Sequence, residues 1–286
     1  MDLSFVLGLA AAVCWGSGDF VAKLVTDRLG YLRTGTFMQY VGGLLLLALT
    51  FQDLTPLWRF PSATYLVLGL GVVNASATVA LYKSFEVGQL SIVSPIASSY
   101  PALSTILAVM LLNETVSQTH LVGIVSILMG IIMVSLQNKS KVSSNGRTFA
   151  TGVGYAILSF VLMGLLYFAL KIAVASLGGF LPVLVIRWES ALILTAALVL
   201  TSARANTHAR RSFLAVVVVG VVDSVANIAY NLGISIGTVA IVSTLSGLFS
   251  AVTVLLACVF LKERLAKHQG LGFLAILVGV SVIGYL

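Results

Sequence analysis

Apolar residues run along this chain in long blocks, and polar residues gather between the blocks instead of alternating within them. A block of about 20 apolar residues crosses the ~30 Å hydrocarbon layer as a helix. A membrane-spanning barrel would show alternation at every second residue, so the pattern predicts helices. The breaks place ten spans. The first five are Leu3–Val25, Thr34–Phe51, Thr64–Tyr82, Ser91–Leu112 and Leu121–Leu136. The second five are Thr151–Val174, Leu181–Thr201, Phe213–Ile234, Val239–Leu261 and Gly270–Leu286. The longest polar stretch, Asn138–Arg147, falls between the two sets. The expected organisation is a first repeat over 1–137, a linker over 138–150 and a second repeat over 151–286. Pro182 suits the first turn of its helix, where a missing N–H does no harm.

Composition sharpens this picture. Hydrophobic residues make up 59% of the 286 and charged residues only 9%, against about 25% charged in an ordinary soluble domain. Lipid must therefore be part of the solvent. Cys14 and Cys258 both sit inside apolar blocks, so neither a disulfide nor a metal site is expected. The net charge of +7 does not point to nucleic acid, because the charges lie at helix ends. Thirteen of the sixteen Lys and Arg residues lie in or beside the odd-numbered connections; the others are Arg59, Lys171 and Arg187. The positive-inside bias then puts the odd connections in the cytoplasm and both termini outside, as in a multi-pass protein of the cell inner membrane. The N-terminal MDLSFVLGL has no basic residue ahead of its apolar run and no early A-x-A site, so it is expected to be a spanning helix and not a cleaved signal.

The chain also repeats. Gly88–Leu136 aligns without a gap on Gly237–Tyr285, at a shift of 149 residues. Ile92-Val93-Ser94 falls on Ile241-Val242-Ser243, Ala102 on Ala251, and Leu112-x-Glu114 on Leu261-x-Glu263. Gly123 and Gly130 fall on Gly272 and Gly279, and Phe20-x-x-Lys23 falls on Phe168-x-x-Lys171 at a shift of 148. With five spans per half, the second half enters the membrane upside down. Such inverted repeats are a common device of secondary transporters, since exchanging the halves' conformations exchanges inward and outward access.

At this point the chain resembles the EamA-type transporters of the drug/metabolite transporter superfamily over essentially its whole length. The resemblance rests on Trp15-Gly16 in the first helix, on Pro95 and Pro101 in the fourth and on the two Leu-x-Glu ends at Glu114 and Glu263. The glycines of the fifth and tenth helices also look like the dimerisation helix of the small multidrug resistance proteins. One departure stands out: Thr244 and Ser250 occupy the places of the two prolines in the second half. The resemblance implies a central cavity and movement of a small metabolite, often outward.

Polar groups inside the membrane are expensive and are functional candidates by default. Asp223, Asn227, Tyr230 and Asn231 fall along one helix face. At the repeat shift, Asn74 and Thr78 hold the places of Asp223 and Asn227, and Tyr82 that of Asn231. Two such stripes facing one cavity would form a substrate site; facing each other dry, they would be interhelical glue. Asp223 is open to three roles: a proton-linked carboxylate, a ligand for an amine, or an ion-pair partner of Arg187. Arg187 itself suits a carboxylate or phosphate substrate, or pairing with Asp223 or Glu189. Its neighbour Trp188 aligns with Tyr40, and Arg187 aligns with Gln39. Asp19 lies one turn after Trp15 and one turn before Lys23. A carboxylate beside an aromatic suits an organic cation or an amino-acid ammonium, while Lys23 offers a local ion pair instead.

The remaining candidates are structural. Glu114 and Glu263 each sit just before the next helix, whose positive N-terminus favours a carboxylate. Gly123, Gly130, Gly272 and Gly279 give smooth faces for packing the fifth helix on the tenth, which would close a functional monomer. Pro95 and Pro101 are expected to kink the fourth helix, as a hinge beside the cavity.

The expected function is thus a secondary transporter, an exporter of a small polar or amphipathic metabolite such as an amino acid. A proton is a candidate coupling ion, and no cofactor or catalytic residue is expected. Two alternatives are a lipid flippase and an intramembrane aspartyl protease using Asp19 and Asp223. Gly16-Ser17-Gly18-Asp19 matches a G-x-G-D string, and such a protease needs two aspartates sharing a proton. An inverted repeat has no purpose in a protease.

Overall fold

The computed structural model describes residues 2–51, 53–87, 96–97, 99–135, 146–201, 209–260 and 267–284. Twelve helices are assigned among them. The first half holds α1 (Leu3–Leu29), α2 (Tyr31–Thr50), the short α3 (Thr55–Arg59), α4 (Pro61–Val87), α5 (Tyr100–Leu111) and α6 (Gln118–Ser135). The second half holds α7 (Gly146–Leu177), α8 (Leu181–Leu200), α9 (Ala209–Ile236), α10 (Val239–Ser246), α11 (Phe249–Phe260) and α12 (Lys267–Gly284). Pro182 stands in the first turn of α8.

Among the described residues, six helices are long and apolar enough to cross a membrane: α1, α2, α4, α7, α8 and α9. The other four expected spans hold shorter apolar helices. The ninth is not one helix. It breaks into α10 and α11 around Gly247 and Leu248. In the fourth, the described residues give a helix over Tyr100–Leu111, with residues 96–97 helical ahead of it. Pro101 occupies the first turn of α5, directly after a turn at Ser99. Tyr100 and Phe249 are repeat equivalents, so both halves begin a helix at the same register although only one carries the proline. Pro95 and Glu263 lie outside the described residues, as does linker segment 138–145.

Packing follows the repeat. α1 packs on α9 and α4 on α7; α4 packs on α8 and α2 on α9; α1 packs on α11 and α7 on α5. Exchanging the halves turns the first member of each pair of contacts into the second. Two further major contacts, α2 with α8 and α6 with α12, map onto themselves. Equivalent helices that meet run antiparallel, as inverted repeats require. On α6 and α12, Gly123 faces Gly279 while Gly130 faces Gly272.

These glycines set how closely the two helices approach. A Cβ on Gly130 would come within 2.7 Å of the Gly272 carbonyl oxygen, and backbone cannot move aside as a side chain can. Gly154 on α7 has nothing within 4 Å of such a Cβ. Gly130→Ala is expected to lower stability by roughly 1–3 kcal/mol through overpacking. Gly154→Ala should be neutral or stabilising, because alanine is the better helix former. Thermal unfolding in detergent checks this ordering; equal effects would show that the approach of α6 to α12 does not depend on its glycines.

Outside the bundle, large apolar side chains such as Leu200, Met110, Leu214 and Val259 are exposed. An apolar surface this extensive is unsuited to water and matches lipid. Inside, the main core is gathered round Trp15, Tyr100, Tyr167 and Tyr230.

Candidate functional site

A cavity of about 140 Å³ lies between the halves. α1, α2, α4, α5, α7, α8, α9 and α11 all contribute to its wall. The sequence candidates Trp15, Asp19, Asn74, Thr78, Arg187, Asp223 and Asn227 line it. The two polar stripes therefore do face one space, but only in part.

Four candidates stand elsewhere. The Tyr40 hydroxyl hydrogen-bonds Thr195 at 3.0 Å, and its ring packs edge-on against Trp188 in the α2–α8 interface. Trp188 covers Gly43 there. Tyr230 is wholly buried; its hydroxyl donates to the Tyr167 carbonyl at 3.1 Å and lies 2.7 Å from the Ser243 hydroxyl. Asn231 is wholly buried too, its amide donating to the Gly179 carbonyl at 3.1 Å. The face carrying Asp223 and Asn227 continues to Tyr230 and Asn231, but α7 and α10 close over it one turn further on. Tyr230 still touches the cavity indirectly, through ring contacts with Trp15 and Tyr167.

Arg187 resolves its open choice. Its guanidinium pairs with the Asp223 carboxylate and donates to the Gln39 side-chain amide oxygen Oε1 at 2.8 Å. The arginine is almost completely buried, while Asp223 keeps 20% of its side chain exposed towards the cavity. Asn227 donates to the Asp223 carbonyl at 2.8 Å and approaches its carboxylate at 3.4 Å. Gly42 makes room for this cluster: a Cβ there would lie 2.2 Å from the Ser224 hydroxyl and 3.2 Å from the guanidinium. Arg187 does not reach Glu189, whose Oε2 is buried against Gly71 without a hydrogen-bond partner among the described residues.

On α4, Asn74 donates to the Ser190 hydroxyl at 2.9 Å, and Ser190 donates to the Gly71 carbonyl at 3.2 Å. The Thr78 hydroxyl is occupied by the Asn74 carbonyl one turn back, at 2.8 Å. Asp19 differs from all of these. It has no hydrogen bond or ion pair among the described side chains, and among the lining residues it is the exposed one.

Residues missed as candidates complete the wall. Tyr100, Tyr167 and Phe249 line the cavity beside Trp15. Tyr100 stacks on Tyr167 at 5.0 Å between ring centroids and on Phe249 at 6.0 Å, while Trp15 meets Tyr167 edge-on at 5.4 Å. The repeat register held a clue: Tyr100 with Phe249, and Gln39 with Arg187, are equivalent positions that meet across the pseudo-axis.

One end of the bundle is held by charged side chains. Glu114 accepts from the backbone N–H groups of Val239 and Ala240 at 2.8 and 3.0 Å. This is a helix N-terminus as expected, but that of α10 in the other half and not of the adjoining α6. Lys171 donates to the carbonyls of Ile234 and Gly237, the latter at 2.7 Å. The two charges thus clamp the turn between α9 and α10, each at the helix end its sign suits. α1 begins at this end, where its Ser4 lies against Gly237, and runs past Trp15 to Asp19 at the exposed end.

The architecture defines a multi-pass membrane protein with a central cavity between two repeats. The model of the EamA-like transporter family matches residues 3–136 and again 150–285, and the chain belongs to that family, a branch of the drug/metabolite transporter superfamily. An uncharacterized protein of Methanocaldococcus jannaschii is 31% identical over 140 residues, which is 48% of this chain and 100% of that one. The relative's full length thus corresponds to about half of this chain. A solved crystal structure matches over 99% of this chain and 96% of its own length, with a TM-score of 0.83 and 16% identity. At that identity the likeness shows the fold alone.

Proposed function

We propose that the protein is a secondary transporter that exports a small polar or amphipathic metabolite, such as an amino acid, by alternating access of the central cavity. The repeats are taken as 1–137 and 151–286, with the odd connections in the cytoplasm, both termini outside, the inner membrane as location and a proton as candidate coupling ion. The observation carrying this reading is the cavity's position on the pseudo-axis, where equivalent residues of the two halves meet. A site there is presented equally by either half, so exchanging their conformations moves its opening from one membrane face to the other. The packing of α6 on α12 closes each chain on itself and supports a working monomer.

The protease alternative is disfavoured by the pairing of Asp223 with Arg187, which leaves no dyad free to share one proton. Counterflow into proteoliposomes tests the proposal. Accumulation of a labelled water-soluble solute against its own gradient is the expected result. Scrambling of labelled lipid without solute movement would point to a flippase.

A further inference from the structure

We propose that the cavity takes an organic monocation, an amine attached to one flat apolar group, and discriminates against the corresponding zwitterion. This rests on the transporter reading and, within its class of small polar or amphipathic metabolites, selects an amine in place of the amino acid given there as an example.

The charge count of the lining carries the argument. Asp19, Asp223 and Arg187 are its ionisable acid and base groups. Arg187 and Asp223 neutralise each other, and the Gln39 side-chain amide oxygen takes a further guanidinium donor. Among the described lining residues no further cation is left to receive a substrate carboxylate. Among the described side chains, Asp19 remains as an acceptor without a compensating partner, exposed in the cavity wall. Its repeat equivalent, at the shift of 148, is the neutral Tyr167, so the second half does not cancel it.

The surroundings of Asp19 fit an ammonium. Trp15 lies one helical turn away and, with Tyr100, Tyr167 and Phe249, forms a continuous aromatic wall. Ring faces attract a cation held nearby and stack on a flat apolar group. Size narrows the class further. A cavity of about 150 Å³ accepts a single benzene ring, and this one has about 140 Å³. The substrate is then one ring or its equivalent, with a short arm reaching the carboxylate at the exposed end.

Three probes sharing one aryl group separate the possibilities: phenethylamine, phenylalanine and 3-phenylpropanoate. Binding is measured on purified protein by titration calorimetry, which needs no transport. Phenethylamine is expected to bind at least about tenfold more tightly than phenylalanine, and the carboxylate not at all. That factor is about 1.4 kcal/mol, within reach of one charge-assisted hydrogen bond. Asp19→Asn should cost at least about tenfold in amine affinity, with Asp19→Glu retaining part of it and the unliganded melting temperature unchanged. Lys23→Met should change amine affinity by less than about threefold, well under the tenfold that 1.4 kcal/mol represents. Phenylalanine binding as tightly as the amine, or a tenfold gain in Lys23→Met, would overturn the proposal and leave the transporter reading intact. Amine binding through Asp19 without any counterflow would do the reverse.

Discussion

Arg187→Gln is expected to be among the most damaging single substitutions in this protein. It would leave the Asp223 carboxylate inside the bundle with the neutral Asn227 amide as its described side-chain partner. Removing one member of a buried pair costs about 3–5 kcal/mol, because the remaining charge is stranded. For a chain of this size that corresponds to a fall of roughly 10 °C in the thermal midpoint, at about 2–4 °C per kcal/mol. Asp223→Asn should be at least as costly, since it strands a guanidinium that is almost fully enclosed. The double variant, Arg187→Gln with Asp223→Asn, should recover at least half of the loss, because no buried charge is then left over. Losses that simply add in the double variant would show that the two side chains do not depend on each other.

The second large effect is expected at the clamped end. Glu114 and Lys171 hold the α9–α10 turn from two sides, with opposite charges on opposite helix ends. Hydrogen bonds to charged groups contribute about 1.5–3 kcal/mol each. Losing one or two kcal/mol from this end alone shifts an equilibrium by a factor of about 5–30. Glu114→Gln or Lys171→Met is therefore expected to favour the state open at this end. Ser243→Cys, placed in a chain with Cys14 and Cys258 replaced by serine, reports it, since Ser243 is wholly buried beneath the clamp. Its labelling by a membrane-impermeant thiol reagent should accelerate by about tenfold in either clamp variant, within that 5–30 range. Unchanged labelling in both variants would show that the clamp does not hold the end closed.

The aromatic and polar parts of the site were unequally legible. Asp19, Asn74, Thr78, Asp223 and Asn227 stood out because a polar residue in an apolar block is costly and conspicuous. Tyr100, Tyr167 and Phe249 did not, since aromatic residues are ordinary in such helices. Gln39 was visible only as the partner of Arg187 in the repeat register. Tyr230 and Asn231 shared the right helix face but not the right depth. The helix break at Gly247 carried no proline and passed as part of one span, while Pro101 stands in the first turn of α5.

The sequence by itself determined that lipid is the solvent, that the chain is helical, and that its halves repeat at shifts of 148 and 149 residues. These follow from local properties: apolar block length, the need of the backbone to satisfy itself in hydrocarbon, and a register that can be counted. Only the tertiary structure decided which polar groups face a cavity and which are sealed in contacts. A helix face gives a direction but not the depth at which neighbouring helices close over it. That depth depends on close approaches such as Gly130 on Gly272 and Gly42 beside Arg187, and on cross-half contacts such as Glu114 capping α10. These join residues far apart in the chain, so no local pattern carries them.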